Sequence, residues 1–374
     1  MTRVHVVDPS AYTPPYDAAL CQALSRQGAE VELITSAFAY GEAPGVQGYA
    51  VRELFYRHSM GPPGSRRRRL TKLAEHVPDM ARYRAVARAV DVVHFQWLVV
   101  QWLDRHLLPR RPLVLTAHDL LPREPRPGQM RAQRRLYEVV DAVITHSDYG
   151  RGQLVEHLGV PEEKVTVVHH GAFDYLTALP EGSPPPELGS VEGPVVLFFG
   201  LLRPYKGIEV LLEAWRRLSA GGEHSEAELW IAGRPRIPLE PLRRSAGPGV
   251  RFVPRFVSEL EMAACFRRAD VVVLPYVETE RLDFSGVLAT ALAFGKPIVV
   301  SDVGGFGEVA AAGAARLVPP GDADALAAEL SRLLHDQAAR GALAAAALAA
   351  AAGPYSWEKA ARRTLEVYRQ VGAA

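Results

Sequence analysis

Residues 195–218 read V-V-L-F-F-G-L-L-R-P-Y-K-G-I-E-V-L-L-E-A-W-R-R-L, and this stretch decides the fold. The continuous apolar run at 195–199 is typical of a strand buried on both faces of a parallel sheet. Apolar residues then recur at helical spacing from Ile208 to Leu218, which predicts a helix over 206–218. Strand, short turn and helix in this order form the repeating unit of an open α/β sheet.

The turn between this strand and helix is suited to an anion. Gly200 lets the chain leave the strand tightly, and Gly207 permits a close approach to the first helical turn. Arg203 and Lys206 place two cations at the carboxyl end of the strand. Free N–H groups and the positive end of the helix dipole attract phosphate, so the pair can hold a diphosphate. The structural alternative is a loop with two solvated basic residues.

Length and composition bound the class of protein. A chain of 374 residues divides naturally into two domains, and 48% hydrophobic with 23% charged residues is a globular composition. The formal charge of +1 argues against a protein that coats nucleic acid. Cys21 and Cys265 have no metal-ligand pattern around them, which predicts neither a disulfide nor a zinc site. We expect a protein without a leader or bilayer-spanning segment, located in the cytoplasm.

The first half of the chain alternates strands and helices. Strands are predicted at 4–7 and 31–35 around a helix at 17–27, with the loop Thr13-Pro14-Pro15-Tyr16, stiffened by its prolines, at the carboxyl edge of the sheet. Further strands at 91–94, 113–116, 142–145 and 165–168 are each followed by polar residues that include histidine. Strand-end histidines such as His94 and His118 indicate one rim of a ligand site, although some of them are expected to serve only in loop hydrogen bonding.

Arginine is concentrated between residues 57 and 89. A Gly-Pro-Pro-Gly turn at 61–64 precedes R-R-R-R-L-T-K-L-A-E, and a second helix is predicted over 80–89. Arg66 to Arg69 favour an anionic lipid surface or a phosphorylated acceptor. The alternative is a solvated helix face.

A second alternation begins at Val195. Residues 181–194 are dense in Pro, Gly and Ser and predict a domain linker. Strands at 229–232, 250–253, 271–274, 297–300 and 316–318 alternate with helices at 258–268, 286–294 and 322–334. After an Ala-rich helix at 338–352, residues 355–374 carry a last helix that we expect to pack on the first domain.

Taken together, the motifs resemble retaining family 4 glycosyltransferases of the GT-B fold, also called glycosyl transferases group 1. They are D-V-V-H, L-T-A-H-D, D-A-V-I-T-H-S-D-Y-G-R-G-Q-L, V-V-H-H-G-A-F-D, F-G-L-L-R-P-Y-K-G, A-D-V-V-V-L-P-Y, S-G-V-L-A-T-A-L-A-F-G-K-P-I-V-V-S-D-V-G-G, L-V-P-P-G-D and Y-S-W-E. The resemblance implies an α/β chain of two doubly wound Rossmann-like domains facing a cleft. These are an acceptor domain over 1–180 and a nucleotide-sugar domain over 195–354.

The resemblance also assigns residues. Arg203 and Lys206 match the family's diphosphate-binding pair, and His118 matches a histidine that touches the donor sugar. The remaining donor positions are Gly200, Gly207, Gly233, Arg255, Phe256, Ser285, Gly286, Val287 and Thr290. Arg255 and Phe256 fall where the family holds the nucleobase through the backbone, and Ser285 to Val287 open a helix toward the phosphates. The acceptor is expected at Thr13, Tyr16, His94 and Asp119.

This chain departs from the family pattern in two places. The loop after the first strand lacks the usual glycines. Two glutamates normally eight residues apart are Leu282 and Thr290 here, and the second of them normally holds ribose hydroxyls. Glu278, Glu280 and Asp283 are close enough in sequence to replace the first carboxylate.

The sequence therefore predicts a retaining, nucleoside diphosphate sugar-dependent hexosyltransferase that uses a UDP or GDP sugar. It would need no cofactor or metal and would act on a sugar, lipid-linked or small-molecule acceptor. Contact with an anionic membrane is included as a further expectation, and a nucleic-acid partner is not. Two alternatives remain: a GT-B sugar-nucleotide epimerase or phosphorylase, and a non-catalytic nucleotide-sugar-binding module.

Overall fold

The computed structural model describes residues 1–39, 41, 45–121, 127–220, 222, 224–277 and 281–372. Its internal contacts divide the chain into two compact units. Among the described residues, the first unit comprises 1–171, 281–283 and 357–372, and the second comprises 172–277 and 284–356.

The first unit is a parallel sheet with helices between its strands. In chain order the elements are β1 (Arg3–Asp8), α1 (Pro14–Arg26), β2 (Glu30–Thr35), β3 (Ala50–Glu53), α2 (Arg66–Val86), β4 (Val92–Phe95), α3 (Gln101–Leu107), β5 (Leu113–Thr116), α4 (Gln129–Val139), β6 (Ala142–Thr145), α5 (Asp148–Gly152) and β7 (Val165–Val167).

The strands of the first unit run β3-β2-β1-β4-β5-β6-β7, and every described pair is parallel. The order reverses between β1 and β4, with Val4 opposite Val92 and Val7 opposite Phe95. At such a switch point the loops leaving two neighbouring strands diverge and leave a crevice at the carboxyl edge. The loops that follow β1 and β4 therefore frame a ligand position in this unit.

The second unit repeats the plan. Its elements are β8 (Val195–Phe199), α6 (Ile208–Ala220), β9 (Glu228–Ala232), α7 (Leu239–Ser245), β10 (Val250–Val253), α8 (Glu259–Arg268), β11 (Val271–Leu274), α9 (Gly286–Ala293), β12 (Ile298–Ser301), α10 (Phe306–Ala311), β13 (Arg316–Val318), α11 (Ala323–His335) and α12 (Gln337–Ala352), and α13 (Trp357–Gln370) closes the chain.

In the second unit the strand order β10-β9-β8-β11-β12-β13 reverses between β8 and β11. The apolar run at 195–199 is the central strand, as its pattern predicts, because Val195 to Phe198 are at most 1% exposed. The loop after β8 and the loop after β11 therefore frame the second crevice.

The division of the chain differs from the predicted one around residues 172–194. Arg267 donates to the carbonyls of Thr177 and Pro180, and Arg268 donates to the carbonyl of Val191. These bonds attach the Pro-rich segment to α8, so it belongs to the second unit rather than forming a separate linker. The terminal helix α13 packs on α1 within the first unit.

Two local predictions are wrong in the first unit. Pro14 and Pro15 occupy the first turn of α1 rather than a loop, because proline fits the first helical positions. The Arg-rich segment is one helix from Arg66 to Val86, followed by a 3₁₀ turn, and not two helices. Pro78 lies inside this helix on an exposed side, so water can satisfy the carbonyl that its missing N–H leaves unpaired.

Candidate active site

The loop after β8 is pressed against the end of β11. A 3₁₀ turn at Pro204–Lys206 ends at Gly207, which has a φ of +66°. A Cβ at Gly207 would overlap the carbonyl oxygen of Pro275. The sequence predicts that Gly207 admits a ligand, but the close neighbour is the protein's own backbone. Gly233 is constrained in the same way by the carbonyl of Gly200.

Lys206 is a buried cation beside the start of α9. The side chain is 6% exposed, and Nζ lies 4.9 Å from the centroid of the Tyr276 ring. A Cβ built on Gly200 would lie 2.8 Å from Lys206 Nζ and 3.2 Å from Val287 Cγ2. The ammonium group and the first turn of α9 therefore meet above Gly200, where only a glycine leaves them room.

Arg203 carries a polar group with no partner in the structure. Its Nε is buried without a hydrogen bond, although the residue as a whole is partly exposed. A buried N–H that stays unpaired costs about 1–3 kcal/mol, and more when it is charged. Such a group at a strand end indicates that an acceptor from outside the chain completes the site.

The amino end of α9 is open. Ser285 occupies the N-cap, but its hydroxyl accepts no bond from the helix and lies 3.3 Å from the Tyr276 hydroxyl. The first-turn N–H groups of Gly286 and Val287 therefore lack a side-chain cap. Lys206 Nζ and Val287 meet at Gly200, so the ammonium and these N–H groups form a cationic position suited to a diphosphate, with Arg203 in the same loop as Lys206.

The Thr290 side chain is buried against its own helix. It is 4% exposed, and its hydroxyl donates to the Gly286 carbonyl at 2.8 Å, as threonines inside helices commonly do. Asp283 is fully buried in the first unit, where it accepts bonds from the His146 N–H and the Ser147 hydroxyl. It is therefore unsuited to replace a ribose-binding carboxylate. Glu278 and Glu280 lie outside the described residues.

Arg255 is paired with two carboxylates, whereas the Phe256 ring is exposed. Arg255 is held by Glu187 at 2.7 Å and by Glu261 at 2.6 Å, so its guanidinium is already neutralised. Its hydrogen bond to Glu261 lowers the pKa of that carboxyl to about 2. Phe256 is 57% exposed just after β10, where an apolar face is open to a flat ring.

Tyr16 and His94, two predicted acceptor residues, belong to the core of the first unit. Tyr16 is 4% exposed and packs edge-on against His118, His170 and Trp357. His94 lies 2.7 Å from both the Tyr368 hydroxyl and the Thr116 hydroxyl, and burial lowers its pKa to about 3. Both are structural, because their polar groups and rings are used by α13 and neighbouring strands.

The loop after β1 is shaped by a carboxylate in place of the expected glycines. Asp8 is fully buried and accepts from the N–H groups of Ser10, Tyr12 and Thr13. Thr13 in turn accepts a bond at 3.0 Å from the indole N–H of Trp97. Thr13, predicted to bind the acceptor, therefore orients Trp97.

His118 lies at the rim of a chain of neutral histidines. Its Nε2 is 2.9 Å from Gln96 Oε1, and its Nδ1 is 3.4 Å from His146 Nε2. Burial, followed by the effect of His146 and its neighbours, lowers the pKa of His118 well below the ordinary value. The ring is thus neutral at pH 7 and offers one N–H donor, not a positive charge.

A cavity of about 220 Å³ lies at the switch point of the first unit. It is lined by residues from the loops after β1, β4 and β5 and from α3 and α4, among them Tyr12, Gln96, Trp97, Gln101, His118 and Asp119. Of the predicted residues, His118 and Asp119 contribute to it. Trp97 and the glutamines are additions that the sequence analysis missed.

Comparisons with known proteins agree with this arrangement. Residues 18–172 match the family described as Glycosyltransferase Family 4, and residues 193–336 match Glycosyl transferases group 1. A D-inositol 3-phosphate glycosyltransferase of Nocardioides sp. is 30% identical over 96% of this chain and 85% of its own length. A phosphatidyl-myo-inositol mannosyltransferase of Mycobacterium leprae is 33% identical over 64% of this chain and 62% of its own.

Solved structures show the same fold. Sucrose-phosphate synthase from Thermosynechococcus elongatus superposes with a TM-score of 0.73 at 21% identity, covering 99% of both chains. HepE of Anabaena in complex with UDP gives 0.71 at 18% identity, covering 99% of this chain and 100% of its own. The two parallel-sheet units, together with these relatives and structural neighbours, place the protein among the GT-B glycosyltransferases. Within that class, the chain belongs to glycosyltransferase family 4.

Proposed function

We propose that this glycosyltransferase takes its sugar from a nucleoside diphosphate sugar, with retention of anomeric configuration and without a metal ion. The second unit holds the donor diphosphate at Arg203, Lys206 and the amino end of α9. The unpartnered Nε of Arg203 carries this assignment, because it is a buried cationic donor awaiting an anion. Glycosyl transfer follows from the family membership, and our proposal assigns the acceptor to the first unit.

The arrangement suits departure of a diphosphate. When the glycosidic bond to phosphate breaks, negative charge grows on the leaving oxygen, and preorganised donors stabilise it. Lys206, Arg203 and the N–H groups of Gly286 and Val287 are such donors. In the proposed front-face transfer, the leaving phosphate oxygen takes the proton of the acceptor hydroxyl. His118 is neutral and its one N–H is directed at Gln96 Oε1; the family resemblance implies that this residue contacts the donor sugar.

Titration calorimetry tests the donor assignment. UDP and GDP are titrated into the wild-type chain and into Arg203→Ala, with Arg244→Ala as a matched loss of an exposed arginine in the same unit. We expect binding of at least one nucleotide, weakened about tenfold or more in Arg203→Ala and unchanged in the control. If neither nucleotide binds the wild-type chain, the donor class is wrong.

Turnover experiments separate the remaining alternatives. Consumption of UDP-glucose or GDP-mannose only when an acceptor is added supports transfer, whereas a new sugar nucleotide without acceptor indicates an epimerase. Nucleotide binding without any turnover indicates a binding module, for which the missing glutamate pair would be the reason. Proton NMR of the first product reports retention or inversion, and unchanged activity in EDTA supports metal independence.

Membrane contact is proposed for the exposed side of α2. Leu70, Leu73 and Val77 are 58%, 50% and 43% exposed, and the exposed Arg66 and Arg69 flank them. Apolar residues beside arginines suit an anionic bilayer surface, to which each cation contributes about 1 kcal/mol. None of the described helices is long and apolar enough to cross a membrane.

Vesicle flotation tests this contact. We expect the chain to float with anionic vesicles at low salt and to lose binding when Arg66 and Arg69 become serine. The control replaces the exposed Arg134 and Arg135 of α4 by serine. Absence of flotation at low salt leaves α2 as a solvated face.

A further inference from the structure

We propose that the buried carboxyl groups of Asp8 and Asp17 share one proton, and that this proton holds the loop after β1 and the indole of Trp97 in place. Loss of the proton as the pH rises releases the loop, so the first unit contains a pH-sensitive switch beside its cavity. Asp8 and Asp17 are positioning residues, because they act through Thr13 and Tyr12 on Trp97. The inference goes beyond the proposed function and does not depend on the donor or the acceptor.

Asp8 and Asp17 meet inside the protein. The two residues are 0% and 1% exposed, and a hydrogen bond joins their carboxyl groups. Both also contact Thr13, since Asp8 accepts from its N–H at 3.0 Å and Asp17 Oδ1 lies 3.4 Å from its hydroxyl. A hydrogen bond between two carboxyl groups needs a proton on one of them, and two buried carboxylates in contact repel each other. The pair therefore holds a single proton.

The shared proton lies mainly on Asp17. Asp8 accepts from the backbone N–H groups of Ser10, Tyr12 and Thr13, and such bonds stabilise the ionised form of a carboxyl group. Burial, followed by the charge of Asp8, raises the pKa of Asp17 well above its ordinary value. Asp17 can therefore donate its proton to Asp8 and accept from the Thr13 hydroxyl with its other oxygen.

Thr13 and Tyr12 connect the carboxyl pair to Trp97. The Thr13 hydroxyl accepts from the indole N–H at 3.0 Å and can donate its own proton to Asp17 in a longer bond. Tyr12 meets the Trp97 ring edge-on, with centroids 5.5 Å apart, and donates its backbone N–H to Asp8. Trp97 and Tyr12 both line the cavity of the first unit. The shape of that cavity therefore depends on the carboxyl pair.

The loop that these bonds hold is strained. Ala11, between Ser10 and Tyr12, has a φ of +50°. A residue with a Cβ rarely adopts this left-handed conformation, because Cβ crowds a carbonyl oxygen, and the conformation persists only where the surroundings enforce it. Asp8 enforces it by accepting from the N–H groups on both sides of Ala11. The loop can therefore relax once the bonds to Asp8 are disturbed.

The neighbouring ionisable groups set the direction of the switch. Those among the described residues that act on the pair are Tyr16 and Cys21 of α1, Tyr49, and Lys72 of α2 with Arg68 beside it. Burial raises the pKa values of the two tyrosines and the cysteine, so these groups are neutral at pH 7. Because the pKa of Asp17 is raised in the folded protein, its proton is bound on the acid side and lost as the pH rises. The loop is therefore held on the acid side and released on the alkaline side.

Carbon NMR of aspartate carboxyl groups tests the shared proton. The full chain, labelled at these carbons, is titrated from about pH 5.5 to about 9.5. We expect one protonated carboxyl group at the start, well above the value of about 3.9 at which aspartate ordinarily titrates. Asp17→Asn should remove this signal, and the exposed Asp148→Asn should keep it. If every aspartate is already ionised at about pH 5.5, the inference is overturned.

Fluorine NMR of fluorotryptophan tests the switch, with the Trp97 signal identified by Trp97→Phe. In the wild type we expect this signal to shift or split as the carboxyl pair loses its proton. In Asp17→Asn the amide can still donate to Asp8 but cannot titrate, so the signal should stay at its low-pH position. The same pH dependence in Asp17→Asn, or a Trp97 signal that stays constant in the wild type, rejects the switch.

Lys72 is the competing titrating group, because burial lowers its pKa. Lys72→Arg keeps the positive charge throughout the titration and should keep the Trp97 transition. If the transition disappears in Lys72→Arg, Lys72 is the group that titrates and the carboxyl pair is not the switch. The wild-type and Lys72→Arg titrations decide the question even if Asp17→Asn does not fold, which the fluorine signals of the other tryptophans would reveal.

Discussion

At the scale of single residues, the candidate donor site depends on two cations that differ in their surroundings. Lys206 is buried over an aromatic ring, whereas Arg203 is partly exposed with one unpaired buried N–H. A buried ammonium attracts an anion strongly because the surrounding dielectric constant is low, and a guanidinium can donate hydrogen bonds to two oxygens at once. The two residues are therefore not interchangeable, and each is expected to act on the leaving diphosphate.

Removing either cation should mainly slow the chemical step. We expect Arg203→Ala and Lys206→Ala each to lower kcat by about two to three orders of magnitude, as loss of one preorganised contact to a developing anion does. Steady-state kinetics with a matched donor and acceptor measures this, with Arg244→Ala as control. Wild-type turnover in either variant would remove that residue from the mechanism.

Because the Thr290 hydroxyl is already bonded within its helix, we expect the protein to bind the ribose of the nucleotide weakly. Because this hydroxyl is bonded to Gly286 and Asp283 is committed elsewhere, neither offers a partner to a ribose hydroxyl. A charged acceptor there would contribute about 1.5–3 kcal/mol. We expect UDP and 2′-deoxy-UDP, or GDP and 2′-deoxy-GDP, to bind within about threefold of each other in calorimetry. A preference above about tenfold for the ribose form would show that another group of the protein binds the 2′-hydroxyl.

Position at a strand end is visible in the sequence, but the direction of a side chain is not. Arg203 and Lys206 were predicted because they stand at a strand end before a helix and match the family's diphosphate-binding pair. His94 lies in β4 and Tyr16 in the first turn of α1, and their partners Tyr368 and Trp357 come from far along the chain. Only tertiary packing turns these two side chains inward.

At the scale of elements, the segment 281–283 is bound to the first unit by hydrogen bonds. Asp283 accepts from the His146 N–H at 2.5 Å and from Ser147, and Leu120 donates its N–H to the Arg281 carbonyl. A Cβ on Gly150 would come within 2.5 Å of Asp283 Oδ1, so this carboxylate also requires a glycine in α5. These hydrogen bonds explain why the segment 281–283 belongs to the first unit.

Loss of this carboxylate should destabilise the protein. We expect Asp283→Ala to lower the free energy of unfolding by about 3 kcal/mol, since bonds to a buried charged group are lost and their donors stay buried. Urea unfolding measures the change. The exposed Asp148→Ala serves as control and should stay within about 0.5 kcal/mol. An effect below about 1 kcal/mol for Asp283→Ala would mean that water replaces the carboxylate.

Elements with weak patterns account for the part of the site that the sequence did not reveal. The helices α3 and α4, which bring Gln101 and Gln133 to the cavity, were not predicted. In α4 the buried apolar residues Ala132, Leu136 and Tyr137 follow helical spacing, but three of them make only a short apolar face. The short α3 gives too few turns for a period to emerge.

At the scale of the whole molecule, buried histidines tie stability to pH. His94, His146 and His170 are at most 6% exposed, and burial lowers their pKa values to about 3, 4 and 3. In the unfolded chain each would titrate near 6.5. As the pH falls below about 6.5, the unfolded state therefore binds three more protons than the folded state. Stability is present at neutral pH and is lost toward pH 4.

The free energy of unfolding should fall steeply as the pH is lowered below 6.5. Three extra protons lower the free energy of unfolding by up to about 4 kcal/mol per pH unit. Urea titrations between pH 7 and 4.5 measure this slope, which His94→Gln should reduce by about a third. The exposed His106→Gln is the matched control and should keep the slope. A flat stability curve over this interval would show that the histidines are protonated in the folded protein.

The overall architecture was the most predictable level, because continuous apolar runs specify parallel strands and their alternation with helices limits the topology. The two sheets and the family membership follow from these runs and from the order of the motifs. The assignment of residues 172–194 did not follow, because their attachment depends on arginines of α8 far along the chain.

The return of α13 to the first unit has a consequence for biosynthesis. The helix that covers Tyr16 and bonds His94 leaves the ribosome after the whole of the second unit. Residue 171, the end of the first continuous stretch of that unit, emerges far earlier than Trp357. At about 5–20 residues per second, roughly 10 to 40 s pass between the synthesis of residue 171 and that of Trp357, and α13 cannot pack on the first sheet during this time. During translation the second unit can therefore finish folding before the first, although it is encoded after it.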